Sequence, residues 1–243
     1  MASEWFDSWF DTKYYHILYK NRNYFEAENF INKLIDFLNP KKRSIFLDIA
    51  CGKGRHSKFI HNKGYKVVGF DLSIQSISYA NKFKKIGLEF YTHDMRENFK
   101  TDYFDYAFNL FTSFGYFENK SDELKALKSS ANNLKPKGTL VIDFLNKEQV
   151  ISNLIPFETK KIENIQFLIS KRIENNQVIK NIDFEDNGKK YSFQESVKLL
   201  GIKDFEWYLN EVGLKIIHTF GSYNLDEYSD KSQRLIIIAE KVG

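Results

Sequence analysis

Apolar side chains at Ala27, Phe30, Ile31, Leu34, Phe37 and Leu38 keep the three- and four-residue spacing of a helix with one buried face, and Pro40 ends it. The segment before it, from residue 3, is dense in aromatics (Trp5, Phe6, Trp9, Phe10, Tyr14, Tyr15, Tyr19) and reads as a first helix. From residue 45 the pattern switches to short apolar runs alternating with helical spacing. Strands are expected at residues 45–50, 66–71, 88–93, 104–110 and 139–145, with helices at 54–62, 74–85 and 124–134 between them. Ser73 is the expected N-cap of the second of these, and Pro136 with Gly138 closes the third. Such alternation calls for βαβ units and a parallel sheet.

The alternation breaks after residue 146. Strand-like runs at 167–173, 178–185 and 191–197 are separated by turn signals at Asn175-Asn176 and Asn187-Gly188, which predicts an antiparallel β insertion over the ligand edge of the sheet. A helix at 205–212, capped by Asp204 and stopped near Gly213, and two strands at 215–220 and 234–240 restore the rhythm, the last pair as a hairpin. The fold class expected is α/β, a Rossmann-like doubly wound sheet with N-terminal helices and an antiparallel β insertion. One domain is expected: residues 1–40 as a helical lid, 41–146 and 199–243 as the core, 147–198 as the insertion.

Composition narrows the function classes. With 243 residues, 42% hydrophobic content, 23 Phe and 14 Tyr, the chain has ample material for a core. The formal net charge of +4 is spread among 32 acidic residues instead of forming a basic block, so nothing asks for a nucleic-acid partner. A single cysteine, Cys51, excludes an intramolecular disulfide and a cysteine-rich metal site, and His56, His61 and His218 lack metal-ligand spacing, so no metal is expected. The acidic N-terminus is unlike a signal peptide, and the apolar runs are far shorter than the roughly 20 residues that span a bilayer; a cytoplasmic protein is expected.

The chemistry gathers where an open parallel sheet binds ligands, at the carboxyl ends of its strands. The first strand delivers Asp48, Ala50 and Cys51 and a turn with Gly52 and Gly54; the second delivers Asp71, Leu72 and Ser73. The third delivers Asp94, Met95 and Arg96, and the fourth Asn109, Leu110 and Phe111. A carboxylate closing the second strand can accept two ribose hydroxyls, and one after the third an exocyclic adenine amine, so the implied ligand contains adenosine. A dinucleotide loop would carry a third glycine where Ser57 stands, and Asp48 would repel a pyrophosphate. An acid there suits the ammonium of an amino-acid tail, as in S-adenosylmethionine.

These stretches resemble the class I S-adenosylmethionine-dependent methyltransferases. LDIACGKGRHS (47–57) is similar to their first motif, VVGFDLS (67–73) to the acidic second strand, THDMRE (92–97) to the adenine loop, FDYAFNL (104–110) to the fourth strand and LKPKGTLVIDF (134–144) to the fifth. The resemblance implies a seven-stranded sheet whose last strand is antiparallel. It also implies that Asp48, Gly52 and Gly54 face the methionine moiety, Asp71 the ribose, and Asp94 and Met95 the adenine. Cys51 reads as packing, not as a nucleophile.

On the acceptor side, FTSFGYFE (111–118) lacks the Pro-Pro-Tyr-like element of base-modifying amino-methyltransferases, which speaks against a DNA or RNA amine. Together with WFDSWFDTKYYHILYKNR (5–22) it resembles bacterial small-molecule methyltransferases with an aromatic N-terminal lid. Ring faces of Tyr14, Tyr15, Phe114, Tyr116 or Phe117 could surround a sulfonium. Packing is the default for Trp5, Phe6, Trp9 and Phe10, whereas adjacent Tyr14 and Tyr15 point to different helix faces, so at least one should reach the cleft; both are the catalytic candidates. Arg22 and Arg172 are the charged candidates for the substrate, with solvent the default for Arg172, and His16 and His93 read as structural. The function expected is methyl transfer from S-adenosylmethionine to an O or N atom of a small molecule. A tRNA or protein acceptor, or a non-catalytic cofactor-binding module, remains the alternative.

Overall fold

The amphipathic and aromatic segments fold into three helices: α1 (Trp5–Trp9), α2 (Lys13–Leu18) and α3 (Tyr24–Leu38). The structure is a computed structural model that describes residues 5–20 and 24–243. The single helix expected over the aromatic segment is two, because the Thr12 hydroxyl accepts the Tyr15 amide at 3.1 Å and caps a new start. The alternation follows as β1 (Ile45–Ile49), α4 (Arg55–Asn62), β2 (Lys66–Asp71), α5 (Ile74–Ala80), β3 (Leu88–Thr92), β4 (Phe104–Asn109), α6 (Lys120–Asn133) and β5 (Leu134–Leu145). After the short helix α7 (Lys147–Ser152) come β6 (Phe157–Ile162), β7 (Ile165–Glu174), β8 (Gln177–Asp186) and β9 (Lys189–Lys198). The chain ends with α8 (Ile202–Glu211), β10 (Leu214–Phe220) and β11 (Arg234–Lys241).

Seven strands form one sheet in the order β10-β11-β5-β4-β1-β2-β3. β1 runs parallel to β2 and β4, while β11 lies antiparallel to both β5 and β10. The sheet is buried on both faces: Phe46, Phe108, Val141 and Ile238 pack on one side, Leu47, Ala107, Leu140 and Ile237 on the other. The chain leaves β1 toward β2 and β3, then returns to add β4 on the opposite side. The crevice of the sheet therefore opens at the ends of β1 and β4.

The second sheet, β6-β7-β8-β9, is antiparallel. It holds one strand more than expected, because β6 is an edge strand exposed along most of its length and so shows no apolar alternation. Its inner face, with Phe167, Ile169, Ile182 and Phe184, packs against Trp9, Tyr14 and Leu18 of the N-terminal helices. Buried Glu123 of α6 joins it to the core, 3.0 Å from Lys198 Nζ and hydrogen-bonded by the Tyr208 hydroxyl. Asp204 proves not to be the cap of α8: it lies one turn in, and its carboxylate accepts the amide of the N-cap, Gly201, at 2.8 Å. Among the described residues no helix is long and apolar enough to cross a membrane.

Candidate active site

The turn after β1 is wound left-handed, with φ of 56° at Ala50, 54° at Gly52 and 73° at Gly54. A Cβ at Gly54 would stand 2.5 Å from the Phe90 ring, so this position accepts no side chain. After β4, Phe111 and Thr112 also take positive φ, 59° and 58°. Three non-glycine residues in this costly region thus flank the crevice at the ends of two central strands, where such strain gathers at working sites.

Three carboxylates mark the strand ends. Asp48, 1% exposed, accepts the hydroxyl of fully buried Ser57, and burial, only partly offset by that bond, pushes its pKa up to about 7. Ser57 is therefore more than a missing third glycine: it holds the acid in place. Gly69 of β2 makes room for this arrangement, since a Cβ there would meet Cys51 Sγ at 2.8 Å and Ser57 Oγ at 3.0 Å. Burial and the neighbouring acids push the Cys51 thiol well up, so it stays protonated. Asp71 accepts the Gly52 amide at 2.8 Å and the Ser73 amide at 2.9 Å, tying the turn to the end of β2; burial raises its pKa. Asp94 is clamped by Arg96, whose Nη2 lies 2.6 Å from Oδ2; burial opposes ionisation there, but the guanidinium outweighs it and lowers the pKa.

At the end of β4 an unexpected residue holds the backbone. Asp143 of β5, fully buried, accepts the Phe111 amide at 2.8 Å and the Arg234 guanidinium at 2.7 Å, while Arg234 also reaches the Thr112 hydroxyl at 2.8 Å. The Phe111 ring is stacked between His56 and Tyr223, at 4.9 and 5.3 Å.

These strand ends form the floor of a cleft of about 1220 Å³ whose other wall comes from α1, α2 and β9. Asp48, Ala50, Cys51, Gly52, Asp71, Leu72, Ser73, Asp94, Met95, Arg96, Leu110 and Phe111 all line it. Gly54 and Asn109 stand behind that surface, and the Asn109 Oδ1 is buried without a partner. Tyr15 lines the cleft and Tyr14 does not: the Tyr14 ring lies on Phe184 and its hydroxyl bonds Asp186 at 2.9 Å, anchoring α2 to the second sheet. Tyr116 and Phe117 line the cleft, but Phe114 is core, packed on Phe205 beneath α8. Arg172 is exposed and paired with Glu174 at 2.9 Å, away from the cleft, and Arg22 lies outside the described residues.

Trp9 is fully buried and does not line the cleft, whereas Trp5, Phe6 and Phe10 both pack and face it. Trp5 and Phe10 lie 5.2 and 5.5 Å from the Tyr116 ring. His16 and His93 both border the cleft, and His93 is held there by Phe70, Phe99 and the Glu97 carbonyl, 2.9 Å from Nε2.

Sequence reasoning missed Asp11, which accepts the Ser73 hydroxyl and, at 3.2 Å, the Gln75 amide; the Asp-Thr pair between two aromatic runs was a usable signal for a helix break. It missed Glu195, placed in the cleft wall, because its strand pattern gives no sign of what stands opposite.

The cleft fits S-adenosylmethionine. It offers a buried carboxylate with no ion-pair partner among the described residues, Asp48, and a second, Asp71, held by backbone amides with acceptor capacity to spare. The Methyltransferase domain family matches residues 21–219. A relative from Bacillus subtilis (strain 168), YqeM, named as a methyltransferase, is 29% identical over 220 residues, 86% of this chain and 88% of its own. A Streptomyces venezuelae enzyme named dTDP-3-amino-3,4,6-trideoxy-alpha-D-glucopyranose N,N-dimethyltransferase is 26% identical over 124 residues, 51% of this chain and 52% of its own. Among solved structures, an S-adenosylmethionine-dependent methyltransferase from Clostridium acetobutylicum ATCC 824 superposes with a TM-score of 0.80 at 22% identity, covering 95% of this chain and 96% of that one. The strand order, the reversed last strand, the acidic strand ends and the family match agree: the chain belongs to the methyltransferase-domain family and uses S-adenosylmethionine as its methyl donor.

Proposed function

We propose that this enzyme transfers a methyl group to an N or O atom of a small molecule held between the strand ends and a lid made of α1, α2 and the four-stranded sheet. The observation that carries the reading is the cleft itself. At about 1220 Å³ it exceeds the roughly 300–1,000 Å³ of a site for one ligand, and a single space joins the carboxylate floor to an aromatic wall. Cofactor and acceptor fit there together.

On the floor, Asp48 and Gly52 face the amino-acid tail, Asp71 the ribose, and Asp94 with Met95 the adenine. The bound cofactor supplies an electrophilic methyl on a sulfonium. The chain's task is then to orient an acceptor lone pair against it, which needs position more than an acid-base constellation. Tyr15, Tyr116 and Phe117 supply ring faces for the positive charge. Nitrogen is the favoured acceptor atom, supported by the N,N-dimethyltransferase relative.

The test is incubation with methyl-labelled S-adenosylmethionine and a fresh cell extract separated into small molecules, RNA and protein. Label is expected in the small-molecule fraction; label confined to RNA or protein would overturn the proposal.

A further inference from the structure

Opposite the proposed cofactor floor, a carboxylate is built into the cleft wall. Glu195 of β9, with 15% of its side chain exposed, is fixed from three directions. Trp9 Nε1 donates to Oε1 at 2.7 Å, the Tyr19 hydroxyl lies 2.8 Å from both oxygens, and Lys180 Nζ lies 3.3 Å from Oε2. Lys180 also bonds the Tyr19 hydroxyl. All three donors come from the parts proposed above as the lid, and none belongs to the cofactor floor.

A carboxylate presents about four lone-pair positions, and here three protons, one each from Trp9, Tyr19 and Lys180, take up three. One position is left on a group that faces the cleft beside Tyr15 and Tyr19. Besides the Lys180 ammonium, what stands around it is aromatic: the Tyr15 ring lies 5.7 and 4.9 Å from the Trp9 and Tyr19 rings that bond it, and Phe10 lies 4.9 Å beyond Tyr15. A carboxylate next to several ring faces is the chemistry that holds an amine, through a charge-assisted hydrogen bond and cation–π attraction. The rest of the lining agrees, since among the described residues seven carboxylates against four lysine and arginine side chains border the cleft in a chain of net charge +4. Such a space disfavours a phosphate-bearing acceptor.

We propose that Glu195 is the residue by which this enzyme recognises its acceptor, and that the acceptor is a small amine carrying no phosphate. The proposal rests on the methyl-transfer reading above and deepens it. The ammonium form docks by donating one hydrogen to the remaining lone pair of Glu195, which fixes the orientation of its nitrogen in the cleft; another proton leaves to water before the neutral nitrogen's lone pair takes the methyl and S-adenosylhomocysteine departs.

The experiment is ligand-observed NMR on the enzyme saturated with S-adenosylhomocysteine. The probe is a mixture of amino sugars and amino alcohols, with their hydroxyl-only and phosphorylated counterparts. Contact is expected with amines, and E195Q should weaken it about tenfold or more, the value of one hydrogen bond to a charged group, with S-adenosylhomocysteine affinity unchanged. Because E195Q leaves Lys180 without a counter-charge, E195Q/K180M is measured beside it and should show the same loss. Absence of contact with any amine, preference for the hydroxyl-only or phosphorylated compounds, or full amine binding by both variants would overturn the proposal. Failure of S-adenosylhomocysteine itself to bind would instead count against the cofactor site.

Discussion

Under the proposed assignment to the cofactor's amino-acid tail, Asp48 serves two opposed demands, stability without the cofactor and charge with it. Its folded-state pKa, pushed up to about 7, lies above the roughly 3.9 of a free carboxylate. A raised acid binds protons more tightly in the fold, so the cofactor-free protein loses stability as pH rises through this window, from about 4 to 7. Thermal melts should therefore fall over that range, and Asp48→Asn should flatten the slope while still offering Ser57 an acceptor. A cationic tail needs the ionised form, so cofactor affinity should climb with pH up to about 7 and then level. In Asp48→Asn it should be weak at every pH, as calorimetry would show. Asp143 acts on backbone instead of ligand: Asp143→Ala leaves Arg234, 20% of whose side chain is exposed, without its partner and should cost about 3 kcal/mol in denaturant unfolding.

At the scale of elements, legibility followed local pattern. β2 was read to the residue because its apolar run is bounded by polar Lys66 and Asp71. β6 was invisible, as an exposed edge strand with no alternation, and α7 is only six residues long. The strand-end carboxylates could be read from chain order alone, because topology puts the carboxyl ends of the parallel strands on one edge. Tertiary partners could not be read: nothing near Thr112 announces Arg234, and nothing near Trp9 announces Glu195. Gly69 lies between, since a glycine inside a strand signals close approach without naming the neighbour. Gly69→Val should force Ser57 and Cys51 away from β2, costing about 1–3 kcal/mol and weakening cofactor binding together. Loss of stability with intact cofactor affinity would show that α4 tolerates the shift.

Across the whole molecule, two layers meet at the cleft. The seven-stranded sheet supplies a rigid floor, and the N-terminal helices with the second sheet supply the other wall. Asp11 bridges them at the start of α5, where its carboxylate accepts from Ser73 and Gln75. Breaking that tie should free the N-terminal helices from α5 without unfolding the core. Asp11→Ala is expected to speed cofactor dissociation about tenfold and to hasten proteolysis within residues 5–20, with little change in melting temperature. An unchanged dissociation rate would deny the helices a role in retaining the cofactor.

The central claim, that the strand ends bind S-adenosylmethionine, is tested most directly by calorimetric titration of the cofactor into the wild type and Asp71→Ala. Asp71 holds the Gly52 turn and is assigned the ribose, so its removal should weaken binding about a hundredfold or more while circular dichroism stays native. Undiminished affinity in Asp71→Ala would contradict the site.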